Sequence, residues 1–178
     1  MGFIEETGAA QHYRDARILT IYEGTTAIQA NDLLGRKTVR DSGAIAKVFS
    51  QKIAQTEKDL AASGSADAQA VLKQLTAGRI AFEEAVIYLV ANAKSDAKAV
   101  YAGSFAYLRL SGLVLGGWQM ARSLLAAEHL RDSDPTFYSA KIATARFFAE
   151  NLLPQASALA ISIIESGHST NALKVEQF

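Results

Sequence analysis

The residues best suited to chemistry form one short stretch near the amino terminus. Glu23 is followed by Gly24 and Thr25, just ahead of an amphipathic run that begins at Thr26. This order places a carboxylate at the start of a predicted helix, where the helix dipole stabilises negative charge and glycine leaves the neighbouring backbone flexible. Glu23 is therefore a candidate general base. The alternative is a solvated carboxylate that only benefits from the helix dipole.

Thr26 and Gln29 indicate where the helix after this carboxylate begins. They have the S/T-x-x-Q spacing of a capping box, in which a hydroxyl and an amide satisfy N–H groups of the first turn. We expect a helix from Thr26 towards Arg40, and we expect Asp41-Ser42-Gly43 to end it. That break is the predicted boundary between residues 1–41 and a second domain.

Composition and charge argue against several classes of function. The 178 residues include 18 basic and 18 acidic side chains, and no cluster of Lys or Arg suggests nucleic acid or an anionic membrane as a partner. No cysteine is present, which excludes disulfides and thiolate chemistry and fits a cytoplasmic protein. The three histidines, His12, His129 and His168, lack metal-ligand spacing, so no metal site is predicted. The apolar stretches fall short of the roughly 20 residues that span a membrane.

The rest of the sequence favours helix throughout. Two prolines and 12 glycines occur in a chain rich in good helix formers, and no run alternates with a period of two. We therefore predict an all-α fold. Apolar residues recur at helical spacing over about 45–63, 66–93, 97–130 and 135–166. Long helices joined by short breaks predict an up-down-up-down four-helix bundle over residues 42–168, with residues 169–178 as a tail.

The first and fourth helices of this bundle are each expected to bury one stripe of side chains. Pro154 is expected to kink the fourth helix and Gly167 to end it. The predicted stripe of the first helix is Ile45, Val48, Phe49, Ile53, Thr56 and Leu60, and that of the fourth is Phe137, Ala145, Phe148, Leu152, Ala156, Leu159 and Ile163.

The third helix is apolar almost all round, which is typical of a central helix or one at an interface. Its glycines are interpreted as sites where another backbone or side chain approaches closely. Its aromatic residues are interpreted as core rather than as a ligand platform. The glycines are Gly112, Gly116 and Gly117, and the aromatic residues are Phe105, Tyr107 and Trp118.

Several motifs in fixed order resemble one known family. They are Gly2-Phe3, the Arg14 to Ile18 run, and Ile21-Tyr22-Glu23-Gly24-Thr25 followed by Ile28-Gln29. Together they resemble the end of the catalytic region of the FAD-dependent acyl-CoA dehydrogenases over residues 2–37. Beyond that point the helical pattern resembles the extra C-terminal helical domain of the larger members, a group that includes enzymes acting on methylthio-acyl-CoA.

The resemblance implies a role for each residue of the motif. The family removes two hydrogens from an acyl-CoA thioester to give a trans-2-enoyl-CoA and reduced FAD. By resemblance Glu23 is the base that takes the α proton, and Gly24 leaves room for the thioester substrate. Thr25, Thr26 and Gln29 would lie on the cofactor side, although a structural capping role is the favoured interpretation of Thr26 and Gln29.

The resemblance also implies partners, and it leaves alternatives open. They are an acyl-CoA substrate, an acceptor of the electron-transfer flavoprotein type and a second copy of the chain in a homo-oligomer. Because the parts of the family that cover the flavin have no counterpart in these 178 residues, we expect the isolated chain to bind FAD poorly and to lack turnover. The alternatives are a non-catalytic helical dimerisation or docking module and an independent helical binding protein.

Overall fold

The computed structural model describes residues 4–20 and 26–177, and all regular structure within those ranges is helical. The predicted all-α class is confirmed. Short 3-10 turns lie at Glu5–Thr7, Ile18–Thr20, Arg131–Ser133 and Val175–Gln177. The α-helices are α1 (Ala9–Arg17), α2 (Thr26–Asn31, continued by a π-helical segment, Asp32–Val39), α3 (Ala44–Ser63), α4 (Ala66–Asn92), α5 (Ala97–Ala102), α6 (Ser104–Leu130), α7 (Pro135–Asn151), α8 (Gln155–Glu165) and α9 (Gly167–Thr170).

Helices α4 and α6 form the centre of the fold. They pack against each other, and each of them also contacts α3, α7 and α8. The core is a single cluster that includes Val71, Leu75 and Leu89 from α4 and Leu110 and Leu124 from α6, all fully buried. This confirms the central position expected of the apolar third helix. The up-down-up-down order of the predicted bundle stays a prediction.

The helix starts follow from local capping chemistry. Ser65, Asp96 and Asp134 each accept a hydrogen bond from the backbone N–H three residues later, at 2.9 to 3.0 Å. Such side chains satisfy N–H groups that the first turn leaves without partners inside the helix. Pro135 occupies the first position of α7, where a missing N–H costs nothing. The predicted start of the fourth helical stretch is thus confirmed.

Two long helices predicted from the sequence are interrupted. The third stretch divides at Gly103 into α5 and α6, and the fourth divides at the Leu152–Pro154 turn into α7 and α8. The backbone N–H groups of Leu152 and Leu153 both donate to the carbonyl of Phe148. The proline causes a full break where the sequence predicted only a kink, because it has no N–H with which to continue the ladder. Gly167 begins one further helical turn instead of ending the chain's helices.

Some apolar side chains point away from the predicted core. Ile45 and Val48 of α3 are 56% and 46% exposed, because the buried face of that helix follows Ala46, Ser50 and Ile53 instead. Phe105 and Phe137 are 58% and 50% exposed, so their assignment to the core was wrong. Tyr107 is fully buried as predicted, and Trp118 is half-buried with its Nε1 donating to Thr56 Oγ1 at 2.8 Å.

The stretch from α7 to α8 has a mixed character. Pro135–Glu165 is long and apolar enough to cross a membrane by length and composition. In its most apolar stretch of 18 residues, 28% is buried within the protein. Length and composition do not distinguish such a stretch from helices that pack on a protein core. Here both α7 and α8 pack on α4 and α6, and the chain breaks between them. The absence of a membrane span stays a prediction.

The glycines of α6 differ in what surrounds them. A Cβ added at Gly117 would lie 2.7 Å from Cδ2 of Leu153, and one at Gly116 would lie 3.2 Å from the ring of Phe148. At Gly112 nothing lies within 4 Å of the added atom. The expectation of close approach is thus confirmed for two glycines and wrong for the third.

We predict opposite effects of alanine at two of these glycines. Gly117→Ala should lower the free energy of unfolding by about 1–2 kcal/mol, because crowding the buried Leu153 outweighs the gain in helix propensity. Gly112→Ala should raise it by about 0.5–1 kcal/mol, since the new methyl group meets open space. Urea denaturation followed by circular dichroism measures both. A stabilised Gly117→Ala variant would contradict the packing described for Leu153.

Candidate functional site

The residues proposed to do chemistry lie at the start of α2 and just before it. Glu23, Gly24 and Thr25 fall outside the described residues. Thr26 is the first residue of α2 and is exposed, and Gln29 is half-buried one turn later. The residues from Thr26 onward are helical, as predicted. Because residues 21–25 fall outside the described residues, the helix start at Thr26 and the capping box of Thr26 and Gln29 stay predictions.

The helix after the candidate base changes register partway along. From Asp32 to Val39 it is π-helical, where the sequence predicted an uninterrupted α-helix. The pattern continues at its end, where Arg40 N donates to Gly35 O at 3.1 Å and Gly43 N donates to Thr38 O at 2.8 Å. Each of these bonds spans five residues instead of four, so the turn holds an additional residue. Such segments are rare and are frequently found at functional sites.

One face of this helix is buried against the centre of the fold. Ala30 and Leu34 are fully buried and Thr38 is 2% exposed, at a regular spacing of four residues. The α2 segment packs on α6, and the π-helical segment contacts both α4 and α6. The helix that follows Glu23 is therefore attached to the central pair of helices rather than standing apart from them.

The exposed face of the same helix holds an ion-pair group. Asp32 accepts from Arg36 Nε at 2.5 Å, and Lys37 Nζ lies 3.5 Å from the other carboxylate oxygen. The hydrogen bond from Arg36 lowers the pKa of Asp32 below its ordinary value, and Lys37 adds to the effect. Exposed ion pairs of this kind contribute little to stability, so this group does little to hold the helix in place.

The buried face contains a hydroxyl relay. Thr38 Oγ1 donates to the carbonyl of Leu33 at 3.0 Å and lies 3.0 Å from Tyr107 Oη on α6. A threonine hydroxyl has one proton, and here Leu33 receives it, so the Tyr107 hydroxyl is the donor to Thr38. Tyr107 is 1% exposed, and burial raises its pKa above the ordinary value. The phenol therefore stays protonated and remains a donor at neutral pH.

Two further features lie within and just after the π-helical segment. A Cβ added at Gly35 would overlap with the Tyr101 hydroxyl, so a larger residue there would require that side chain to shift. After the segment, the carboxylate of Asp41 accepts from Gly43 N and Ile45 N at 3.0 Å each. Ser42 and Gly43 adopt left-handed backbone angles, with φ of 57° and 78°. The predicted break at residues 41–43 is confirmed, and Asp41 is the side chain that organises it.

A cleft of about 570 Å³ lies between α3 and α4, on residues that the sequence analysis did not propose as a functional site. Its walls include Phe82, Val86 and Val90, and Glu83 lies at its edge. The Glu83 carboxylate accepts hydrogen bonds from Ser50 and from Arg79, and Arg79 also donates to Glu57. Ser50, Arg79, Glu57 and Glu83 are thus bonded to one another, and Lys47 is a further charged residue that lines the cleft. The i,i+4 spacing of Arg79 and Glu83 was the sequence signal for this network.

Metal chemistry finds no support in the part of the chain that the structure describes. Among residues 4–20 and 26–177, no group of three or more His, Asp or Glu side chains is placed to hold an ion.

Comparison with protein families agrees with this arrangement of one helix attached to a helical core. Residues 49–174 match the family described as "Acetyl-CoA dehydrogenase C-terminal like", and residues 1–38 match "Acyl-CoA dehydrogenase, C-terminal domain". The fold and these matches define an all-helical C-terminal region of a dehydrogenase. The chain belongs to the acyl-CoA dehydrogenase family.

Three curated relatives illustrate the relationship. The chain is 51% identical over 171 residues to 3-methylmercaptopropionyl-CoA dehydrogenase of Ruegeria pomeroyi, covering 95% of this chain and 29% of that protein. It is 35% identical over 173 residues to broad-specificity linear acyl-CoA dehydrogenase FadE5 of Mycobacterium tuberculosis, covering 86% and 26%. It is 34% identical over 162 residues to a butyryl-CoA dehydrogenase of Syntrophomonas wolfei, covering 86% and 26%. The chain thus spans less than a third of the length of these relatives.

The buried phenol predicts a specific dependence of stability on pH. Because the folded state raises the pKa of Tyr107 above the ordinary value of 10.0, the unfolded chain ionises first as the pH rises. The stabilisation from this neutral phenol is complete below about pH 10 and is lost above it. Tyr107→Phe should be less stable than wild type by about 1 kcal/mol at neutral pH, and this gap should narrow towards alkaline pH. Denaturant titrations of both proteins across that range measure the gap, and a gap that widens would contradict the assignment.

Proposed function

We propose that this chain is the C-terminal part of an FAD-dependent acyl-CoA dehydrogenase that removes hydrogens from Cα and Cβ of an acyl-CoA thioester. The observation that supports this best is the joint match of residues 1–38 and 49–174 to two C-terminal acyl-CoA dehydrogenase families. The division at residues 41–43 falls between these two matches, which supports the proposed boundary. The relatives named above are dehydrogenases of acyl-CoA compounds by their names.

Glu23 is the proposed catalytic base. Its carboxylate takes the α proton of the thioester, and it requires a site from which water is excluded, so that its pKa moves towards that of the proton it removes. Gly24 has no side chain, which leaves space for the thioester beside the base. The helix that begins three residues after Glu23 buries the side chains of Leu34 and Thr38 in the fold. The proposed base therefore precedes a helix that is packed in place.

FAD supplies the acceptor for the hydride that leaves Cβ. The residues proposed for its side of the site are Thr25, Thr26 and Gln29. Thr26 fits such a role because it is exposed at the start of α2, where hydroxyl and N–H groups are available to polar or anionic parts of a cofactor. These residues form one edge of a binding site, and less than a third of the relatives' length is represented in this chain. The proposal is therefore that the 178 residues alone bind FAD weakly and do not turn over.

The partners follow from the chemistry of the reaction. The substrate is an acyl-CoA, and electrons leave the reduced cofactor to an acceptor of the electron-transfer flavoprotein type in the cytoplasm. A homo-oligomer is part of the proposal, because large apolar side chains are exposed on several helices. They include Ile45 on α3, Ile87 on α4, Phe147 on α7 and Ile161 on α8.

The same exposed side chains favour a second function for the isolated chain, a non-catalytic helical dimerisation module. Ile87 is 68% exposed and Phe147 is 61% exposed. Large contiguous patches of exposed apolar side chains are uncommon on the surfaces of monomeric proteins. Light scattering coupled to size exclusion decides this question. A dimer supports the module, and a strict monomer at high concentration argues against it.

The base is tested by Glu23→Gln in a complete dehydrogenase chain that contains this region. We expect turnover of acyl-CoA with an artificial electron acceptor to fall on the order of 10²- to 10⁴-fold, because the amide cannot accept the α proton. The flavin absorbance should persist. Glu6→Gln is the matched control and should leave turnover unchanged, because Glu6 is an exposed carboxylate in the 3-10 turn Glu5–Thr7. Full activity of Glu23→Gln would refute the assignment of the base.

A further inference from the structure

We infer that Tyr107 and Thr38 are positioning residues for the start of α2, acting by fixing the π-helical register of Asp32–Val39. This inference rests on the proposed function only for its catalytic consequence. The structural part concerns residues that are all described, namely α2, its π-helical continuation and α6. Neither residue is placed to touch substrate or cofactor.

Two consecutive hydrogen bonds connect α6 to the π-helical segment. Tyr107 on α6 donates to Thr38, and Thr38 donates to the carbonyl of Leu33, each over 3.0 Å. Leu33 and Thr38 are five residues apart, which is the spacing of the π-helical bond. The Thr38 hydroxyl therefore adds a side-chain bond across the same turn that the backbone closes. Tyr107 orients that hydroxyl from a helix 69 positions away in sequence.

The register of the π-helical segment matters because it sets the rotation of the helix that precedes it. In an α-helix one residue corresponds to about 100° of rotation and about 1.5 Å of rise. If the additional residue of the π-helical turn were lost, the part of the helix from Thr26 to Asn31 would turn by about that angle relative to α6. Glu23 lies three residues before Thr26. Under the proposed function, Thr26 and Gln29, the described residues proposed for the cofactor side of the site, would turn with the helix.

Other contacts of this helix do not specify the register as well. Ala30 and Leu34 are buried, but apolar packing is non-directional and tolerates rotation. The Asp32 to Arg36 pair is exposed to solvent and moves with the helix. Hydrogen bonds have strict distance and angle requirements, and the Tyr107 to Thr38 bond is shielded from water. The hydroxyl pair is thus the contact that distinguishes the two registers.

The structural step is tested on the 178-residue chain by amide hydrogen exchange. We expect Tyr107→Phe to speed exchange of the backbone amides from about residue 32 to 40 by roughly 5-fold, as follows from losing one buried hydrogen bond. Thr56→Val is the matched control, because it removes a comparable bond between Thr56 and Trp118 without touching this segment. Thr38→Val should reproduce the effect of Tyr107→Phe, and Thr38→Ser should restore wild-type exchange. Unchanged exchange in Tyr107→Phe, or equal acceleration in the control, overturns the inference.

The catalytic step is tested in a complete dehydrogenase chain. We expect Tyr107→Phe to lower kcat by roughly 3- to 10-fold and to shift the pH profile of kcat, while KM for acyl-CoA stays within about twofold, because a rotated start of α2 would disturb the chemical step more than substrate binding. Thr56→Val should change neither kcat nor the profile. Faster exchange combined with a wild-type kcat and profile overturns the positioning role. Full activity of Glu23→Gln instead refutes the proposed base and leaves the exchange result to stand on its own.

Discussion

The insertion of Leu153 between the two central helices is the contact on which the packing of the fold depends. Leu153 is 1% exposed, and its nearest methyl group lies 2.7 Å from where a Cβ would be on Gly117 of α6 and 3.4 Å from where one would be on Gly78 of α4. A side chain at Gly117 would displace it, whereas a Cβ at Gly78 would be in close contact with it. The break before Pro154 is what turns Leu153 inward, because the proline ends the hydrogen-bond ladder of α7 at that point. Two glycines and one proline, which weaken helices in isolation, together allow α4, α6, α7 and α8 to meet closely.

The segment with the candidate base depends on this central pair of helices. Its helix buries Ala30, Leu34 and Thr38 against them and has no independent core of that size. Apolar packing alone does not fix the rotation of a helix about its axis. The buried hydrogen bond between Thr38 and Tyr107 has strict geometric requirements and restricts that rotation. The helix from Thr26 to Val39 is thus in direct contact with the central helices. Under the proposed function, these central helices support the helix that follows the motif with Glu23.

Family membership follows from the sequence, whereas chemistry by this chain alone does not. The chain covers 29% of the 3-methylmercaptopropionyl-CoA dehydrogenase to which it is 51% identical. A carboxylate base acts only where substrate, cofactor and a dry cavity are brought together. In the described cleft between α3 and α4, Glu83 is paired with Arg79, which also pairs with Glu57, and Lys47 is a further charged lining residue. The candidate base of the proposed function is Glu23, in the motif before α2.

The sequence by itself determined the helical class, the break at residues 41–43 and the start of the fourth helical stretch at residue 135, because these depend on neighbours within a few residues. Only the tertiary structure decided which face of α3 is buried, where the long helices divide and that Asp32–Val39 is π-helical. Periodicity cannot fix the phase of a helix whose opposite sides are both apolar, as Ile45 and Val48 show. The pairing of Thr38 with Tyr107 joins residues 69 positions apart. No local pattern encodes such a contact, since it exists only once α6 and the π-helical segment are packed together.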